Sequence, residues 1–428
     1  MWYLPEPDDM TTYTSVLRDG QFRVLFGTRT LSILADTLRI VALSLLVYAA
    51  TDSPALAALA YGIGFLPQLL GAGLFGALAD RVRPRRLIAL GYLAEAAAAL
   101  ALAMVPLPVW AALALVAAAA LLTPVFMGAQ NALIAEVLHG EAYVLGRSLA
   151  NMASSLAQLA GMAGAGLAVA ALGGRRAMLL AALGHVLAAA WTRLGLADSP
   201  VAPGAGRPRG LAAASWSGNV ALLRDRTVRR LLLVQWLPPA FLTGAEALMV
   251  PYAAGRGFAI GVAGWLLAAI PVGMTAGNLV VGRLIGPALR ERLVPVLIAL
   301  MGLPCLAFLA PAPWPPLAGA LMVAGAGFAF GLGVQEAFRD ALPAEGRGQA
   351  FGLLSTGLMT AQGLLPALAG LLAEALAPGV VIGLLGGATL VAAAGAAPGF
   401  VRRQHRREQQ QRAGDGRSDD QVEPLLLG

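Results

Sequence analysis

Arg29, Ser32, Asp36 and Arg39 follow one another at intervals of three, four and three residues within the apolar run FGTRTLSILADTLRIVALSLLVYAA. On an α-helix those intervals place all four on one face. An isolated charge at bilayer depth costs at least ~2.5–3.5 kcal/mol, so three charges on one stripe must face protein or a water-filled cavity. Two readings are open. The stripe is either a salt bridge locking this helix to a neighbour or a cavity-facing site. Two further acids have similar surroundings, Glu246 in LTGAEALMVPYAA and Glu95 in YLAEAAAALALAM, the second beside a long alanine run. Carboxylates held in apolar segments can exchange protons or make ion pairs, and both chemistries depend on what faces them.

Other polar side chains share these segments. Gln68, Gln158, Gln235, Asn278 and Gln362 either line a polar route or make hydrogen bonds between helices. Tyr61, Phe65, Trp236, Phe241 and Trp265 are suited to contact an apolar substrate, or equally to pack helices and face lipid. Glu136, Glu141 and Arg147 in one connecting loop, with Glu336, Arg339 and Asp340 in another, suggest gate ion pairs, with a solvated surface as the plainer alternative.

Several chemistries are excluded. The histidines His139, His185 and His405 lie in different regions, so no metal centre and no enzyme active site is expected. The single cysteine, Cys305, sits in an apolar stretch and reads as a core residue. All 30 basic residues are arginine, and a lysine-free chain cannot form a Walker phosphate loop. No cofactor is expected.

The elements that must hold these residues are legible from composition. Of the 428 residues, 58% are hydrophobic and only 12% charged, far from the roughly 25% charged of a soluble domain. Apolar windows long enough to cross a hydrocarbon core recur from Phe22 to Phe400. They predict about twelve spans, near 22–48, 54–78, 86–105, 107–128, 146–171 and 177–196, then 230–254, 261–283, 293–311, 315–335, 350–373 and 379–400. The expected organisation is a cytoplasmic N-terminal segment (1–21), a six-helix bundle (22–196), a cytoplasmic central loop (197–229), a second bundle (230–400) and a disordered cytoplasmic tail (401–428). A short surface helix is expected from Ser217 to Arg224. The acidic N-terminus MWYLPEPDDM does not read as a cleavable signal peptide.

Arginine placement predicts orientation. With both termini in the cytoplasm, 25 of the 30 arginines fall on the inner side or at its membrane edge. Only Arg175, Arg176 and Arg256 fall outside, while Arg29 and Arg39 lie within the first span. That asymmetry obeys the positive-inside rule, so the net charge of +7 is topological and calls for no nucleic acid.

The two halves also match in sequence. AQLAGMAGAGLAVAAL (157–172) aligns without gaps to AQGLLPALAGLLAEAL (361–376) with eight identities in sixteen. GAQNA (128–132) matches GVQEA (333–337) in three of five positions. Gly71, Gly76, Leu78, Arg86 and Leu87 match Gly277, Gly282, Leu284, Arg292 and Leu293. The offsets of 204, 205 and 206 are nearly equal, which predicts two parallel repeats of six spans.

With twelve spans in two repeats, the stretch GALADRVRPRR resembles the signature loop of the major facilitator superfamily, between the second and third spans. Gly76, Asp80, Arg81, Arg85 and Arg86 fit that pattern, while Arg83 stands where the signature has its second glycine. Within the superfamily, Ser32, Asp36 and Ala42-Leu43 resemble the first span of the enterobactin-exporter-like and macrolide-efflux-like branch. The antiporter motif of the fifth span is degraded here to GMAGAG (161–166), with Met162 in place of proline.

This resemblance implies an all-α membrane protein with two six-helix bundles, acting as a secondary transporter by alternating access. The first and seventh spans would form the cavity and its gate, making Asp36, Arg39, Glu246 and Glu95 the proton-coupling candidates. Glu246 is expected in the middle of the seventh span, with no arginine within four residues, and to protonate more readily. Asp36 is expected to form a switchable ion pair with Arg39. Arg29, Ser32, Gln68, Gln158, Gln235, Trp236, Asn278 and Gln362 are candidates for the substrate cavity. Gly76, Asp80, Arg81, Arg85 and Arg86 would form a latch, Asp80 meeting the positive end of the eleventh helix.

The expected activity is proton-driven export of a small amphipathic molecule, such as a drug, siderophore or secondary metabolite, across the bacterial inner membrane. Import, lipid movement and a non-transporting receptor or scaffold are the alternatives. Expected partners are the substrate, protons and membrane lipid, with the chain acting as a monomer.

Overall fold

The second apolar window, 54–78, does not form one helix. Gly62 and Gly64 are weak helix formers, and Pro67 has no N–H to bond back to the carbonyl of Ile63. The chain therefore turns over 63–65, between α3 (Pro54–Gly62) and α4 (Leu66–Phe75). A computed structural model describes residues 13–75, 82–198, 219–259, 261–342 and 347–422. Among them, eleven helices are long and apolar enough to cross a membrane by themselves. The broken α3–α4 pair covers residues 54–75 of the second span expected at 54–78.

The first set of helices continues with α1 (Tyr13–Arg18), α2 (Gly20–Thr51), α5 (Pro84–Met104), α6 (Val109–Val137), α7 (Gly140–Leu172) and α8 (Gly174–Gly195). The second set has α9 (Arg226–Ala247), α10 (Met249–Gly255), α11 (Val262–Leu284), α12 (Pro287–Gly302), α13 (Trp314–Ala326), α14 (Phe330–Ala341), α15 (Arg347–Ala375) and α16 (Pro378–Val422). Short 3₁₀ segments at Leu303–Leu309 and Gly327–Ala329 extend α12 and join α13 to α14. The chain is helical over 219–224, as expected before the second set. Its last helix runs on to Val422, through the stretch expected to be disordered, where Arg, Gln and Glu favour helix.

Helix starts follow local chemistry. Asp19 caps α2 by accepting from the Phe22 N–H at 2.8 Å, and Asp225 caps α9 by accepting from Thr227 and Val228. Ser53 caps α3, with Pro54 at its first position.

The turns at 52–53, 105–108, 173, 256–259 and 310–313 define one face of the molecule, which is poor in arginine. The opposite face carries Arg83, Arg85, Arg86, Arg147, Arg226, Arg229, Arg290, Arg292 and Arg339. Two seams join the sets toward the arginine-poor face, and the internal repeat relates them. At Gly166 of α7, an added Cβ would lie 2.6 Å from the Gly264 Cα of α11. At the repeat-equivalent Gly370 of α15, it would lie 2.8 Å from the Ala58 Cβ of α3. Only glycine permits so close an approach of backbones. In the degraded GMAGAG motif Gly166 packs across the sets, whereas Gly161 packs on Thr37 within the first set.

Candidate functional site

The first-span stripe becomes a buried charge cluster assembled from three helices. Asp36 lies midway along α2, and its Oδ1 accepts from Arg39 Nη2 at 3.0 Å. Ser32 Oγ donates to Asp36 Oδ2 at 3.4 Å. The same Arg39 nitrogen lies 3.3 Å from Glu95 Oε2 of α5, and Thr123 of α6 donates to Glu95 Oε1 at 3.1 Å. Glu95 is therefore a full member of the site, which the alanine run around it did not suggest.

His185 of α8 completes the cluster, with its Nε2 3.4 Å from Asp36 Oδ1. It is fully buried, and among the described residues neither ring nitrogen has a hydrogen-bond partner. The expectation that the histidines join no cluster fails here, because α8 packs along α2 and α5 and brings residue 185 beside residue 36. Two carboxylates and one guanidinium make the cluster's formal charge negative. Asp36, Glu95 and His185 also hold ligand atoms within 4.8 Å of one another, a set that could bind a metal ion. Arg39 bridges the two carboxylates, so a divalent cation would have to displace its guanidinium.

Arg29 does not join its stripe. It points to Met127 on α6, with Nη1 3.3 Å from the sulfur. Two helical turns separate it from Asp36, and α6 intervenes as its partner.

Beside the cluster lies a cavity of ≈ 130 Å³, lined by Asp36, Arg39, Glu95, Thr123, Gln68 and Tyr61. Tyr61 crosses between the sets: its hydroxyl donates to Glu246 Oε2 at 2.9 Å. Among the described residues no basic side chain pairs with Glu246. Tyr61, considered for apolar contact, is therefore a hydrogen-bond donor in the seam. Glu246 is not at the middle of its span. It lies nine residues from the arginine-poor end of Arg226–Gly255, next to the helix break that precedes Pro251. A second polar seam was not foreseen at all. Glu374 of α15 accepts from the Ala55 N–H at 3.0 Å and from the Ser53 hydroxyl, joining the sets at the arginine-poor edge.

The remaining cavity candidates divide by partner. Gln68 donates to the Gly64 carbonyl at 2.7 Å and Gln235 to the Leu231 carbonyl at 3.1 Å, both local bonds. Trp236 donates to the Leu354 carbonyl at 2.8 Å, and Gln362 to Thr243 at 3.2 Å, so both tie α9 to α15. Gln158 and Asn278 are exposed, as is Trp265. Phe241 packs against the core of the second set.

Of the expected latch, Gly76, Asp80 and Arg81 lie outside the described residues. Arg83 and Arg85 pair with Asp198 Oδ2 at 2.6 and 3.1 Å, and Arg85 also donates to the Leu196 carbonyl. They join two turns of the first set rather than the two sets. Arg86 is exposed. The modest burial of Asp198 favours its neutral form. The hydrogen bond and charge of Arg83, with the charges of Arg85 and Arg86, outweigh that and hold its carboxyl below the usual range. Of the expected gate pairs, Arg147 donates instead to Asn131 at 2.8 Å, and Arg339 pairs with its neighbour Asp340 at 3.5 Å. Glu136 is exposed, while the side chains of Glu141 and Glu336 lie outside the described ones.

The family model described as Major Facilitator Superfamily matches this chain over residues 25–333 and 247–424. No curated protein matches it by sequence. Solved structures with a similar fold include a nucleoside transporter, NupG, at a TM-score of 0.70 and 14% identity, covering 89% of this chain and 99% of that one. A peptide transporter POT in complex with sulfate superposes at 0.67 with 18% identity, covering 89% and 95%. A bacterial homolog of the human lysosomal transporter Spinster, inward-facing and unoccupied, superposes at 0.61 with 16% identity, covering 92% and 94%. At these identities the likeness is one of fold.

Proposed function

The chain belongs to the Major Facilitator Superfamily, a multi-pass membrane family whose members point to transport rather than catalysis, and from that premise we propose that it is a proton-driven exporter of a small amphipathic molecule. The observation that carries the proton coupling is the Tyr61–Glu246 hydrogen bond between the two helical sets. A hydroxyl donates more strongly to a carboxylate than to a neutral acid. The Glu246 proton and the state of the seam are therefore coupled. The positive-inside rule assigns the arginine-rich face to the cytoplasm. In that orientation, protons are taken up from outside and released inside, which is the direction of the proton gradient.

The Asp36–Arg39–Glu95–His185 cluster lies within one set and shares a cavity with Tyr61. It is the second charge-carrying station in this reading, with Arg39 exchanging between two carboxylates as their protonation changes. The export direction rests on the first-span resemblance through Ser32 and Asp36. We place the protein in the bacterial inner membrane, as a monomer, with both termini cytoplasmic.

Uptake into everted vesicles tests this reading, using lipophilic cations, macrolides and siderophores as probes. Accumulation abolished by a protonophore supports it. Glu246→Gln is expected to lose concentrative transport while keeping substrate exchange. Uphill movement in right-side-out vesicles alone would reverse the direction, and transport indifferent to the pH gradient would sink the coupling.

A further inference from the structure

Away from the charge cluster, the arginine-poor face holds a cavity of ≈ 390 Å³ between the two sets. Leu45, Leu46 and Tyr48 of α2 line one wall, and Val250 and Ala253 of α10, with Phe258, line the other. Leu45 is six residues from the end of α2 at Thr51, or about 9 Å of helix. The cavity thus lies at the depth of acyl chains in the leaflet on that face.

By sequence, this face carries three arginines against 25 of 30 on the other side or at its membrane edge, and Arg175 and Arg256 lie within two residues of Gly174 and Ala254, which line this cavity. Gly173 and Gly174 line it and lead directly into Arg175 and Arg176. Arg175 lines an adjoining cavity that shares Leu46. From the other set, the guanidinium carbon of Arg256 lies 5.9 Å from the centroid of the Phe258 ring. All three arginines are exposed. Among the described residues none of them forms an ion pair.

Unpaired guanidinium groups above an apolar slot complement an anionic head group on an alkyl tail. We infer that this cavity binds an anionic phospholipid from the surrounding leaflet. One acyl chain fills the slot, and the phosphate sits between Arg256 of the second set and Arg175 and Arg176 of the first. Guanidinium donates to phosphate in a bidentate fork, which favours arginine for this role. Because the walls come from both sets, the lipid binds when this face is closed and stabilises that conformer. Anionic lipid therefore slows opening toward the arginine-poor side, independently of what the protein carries.

The test uses the full chain in nanodiscs and a phosphatidylglycerol probe with a photoreactive acyl chain, mapped by peptide mass spectrometry. Labelling is expected at 45–49 and 250–254. It is expected to be competed by unlabelled phosphatidylglycerol and not by phosphatidylcholine. Replacing the three exposed arginines (Arg175→Ala, Arg176→Ala, Arg256→Ala) is expected to weaken competition about tenfold or more. Ala253→Phe, which fills the slot, is expected to abolish labelling there with the arginines intact. Labelling spread evenly over the lipid-facing spans, equal competition by phosphatidylcholine, competition by palmitate alone, or an unchanged triple variant would each overturn the assignment. Any of these can occur with proton-coupled transport intact, and loss of coupling leaves the lipid result unaffected.

Discussion

Replacing Tyr61 by phenylalanine removes one atom from the seam between the helical sets. Tyr61 is buried in α3, and its ring packing survives the change. What goes is the 2.9 Å hydrogen bond to Glu246. A hydrogen bond to a charged group contributes about 1.5–3 kcal/mol, against about 0.5–1.5 kcal/mol for a neutral pair. In the proposed cycle, opening the arginine-poor face breaks this bond, so Tyr61→Phe is expected to move the closed-to-open ratio by about 10- to 150-fold toward open. Protonating Glu246 in the parent removes only the charged part of that bond, about 1 kcal/mol, and also lifts the cost of burying a charge, so acidification is expected to change the same ratio. Spin labels at Asp52 and Leu376, in a Cys305→Ser background, place one probe on each set at this face. Pulsed distance measurements then read the two populations at neutral and acidic pH. Glu246→Gln should mimic the acidified parent and show no further pH response. An unchanged distance distribution in Tyr61→Phe, or a full pH response in Glu246→Gln, would refute the reasoning.

Three other outcomes follow from the same geometry. Arg39→Gln leaves Asp36 and Glu95 without their shared cation and is expected to cost about 3–5 kcal/mol of stability, read as a lowered unfolding temperature in detergent; Arg39→Gln with Asp36→Asn should recover part of that loss. Gly166→Leu drives a side chain into the Gly264 backbone, so the variant is expected to insert and fold, fail to close the arginine-poor face, and lose transport, as cysteine crosslinking across that face would report. Asp198→Asn breaks exposed pairs with Arg83 and Arg85 and is expected to leave the unfolding temperature nearly unchanged at neutral pH. Because the folded Asp198 carboxyl is held below its usual range, whatever it contributes is present above that range and fades as pH falls through the lowered value, so parent and variant should converge in acid.

Much of the site was within reach of sequence reasoning. The three-and-four spacing put Ser32, Asp36 and Arg39 on one face, and the structure keeps them together. The same spacing did not show that Arg29 meets Met127 on α6, because periodicity gives a direction around one helix and not the neighbour met there. The broken second span was legible in GIGFLP, where two glycines and a proline crowd six residues, but hydropathy averages over such signals. His185 carried no signal at all. It lies 149 residues from Asp36, and only the packing of α8 along α2 brings them together. Glu374 was similarly silent, since its partners Ser53 and Ala55 lie more than 300 residues away in the other set.

The sequence by itself determined that this chain crosses a membrane many times, which face carries its arginines, and that its two halves repeat. The crossings follow from transfer of each segment into hydrocarbon, a sum over local residues that needs no knowledge of neighbours. Tertiary structure decided which buried charges balance one another, which glycines let the sets touch, and that Glu246 answers to Tyr61. Those choices are made by contacts between helices far apart in the chain, where a charge in low dielectric is tolerated only beside a specific partner.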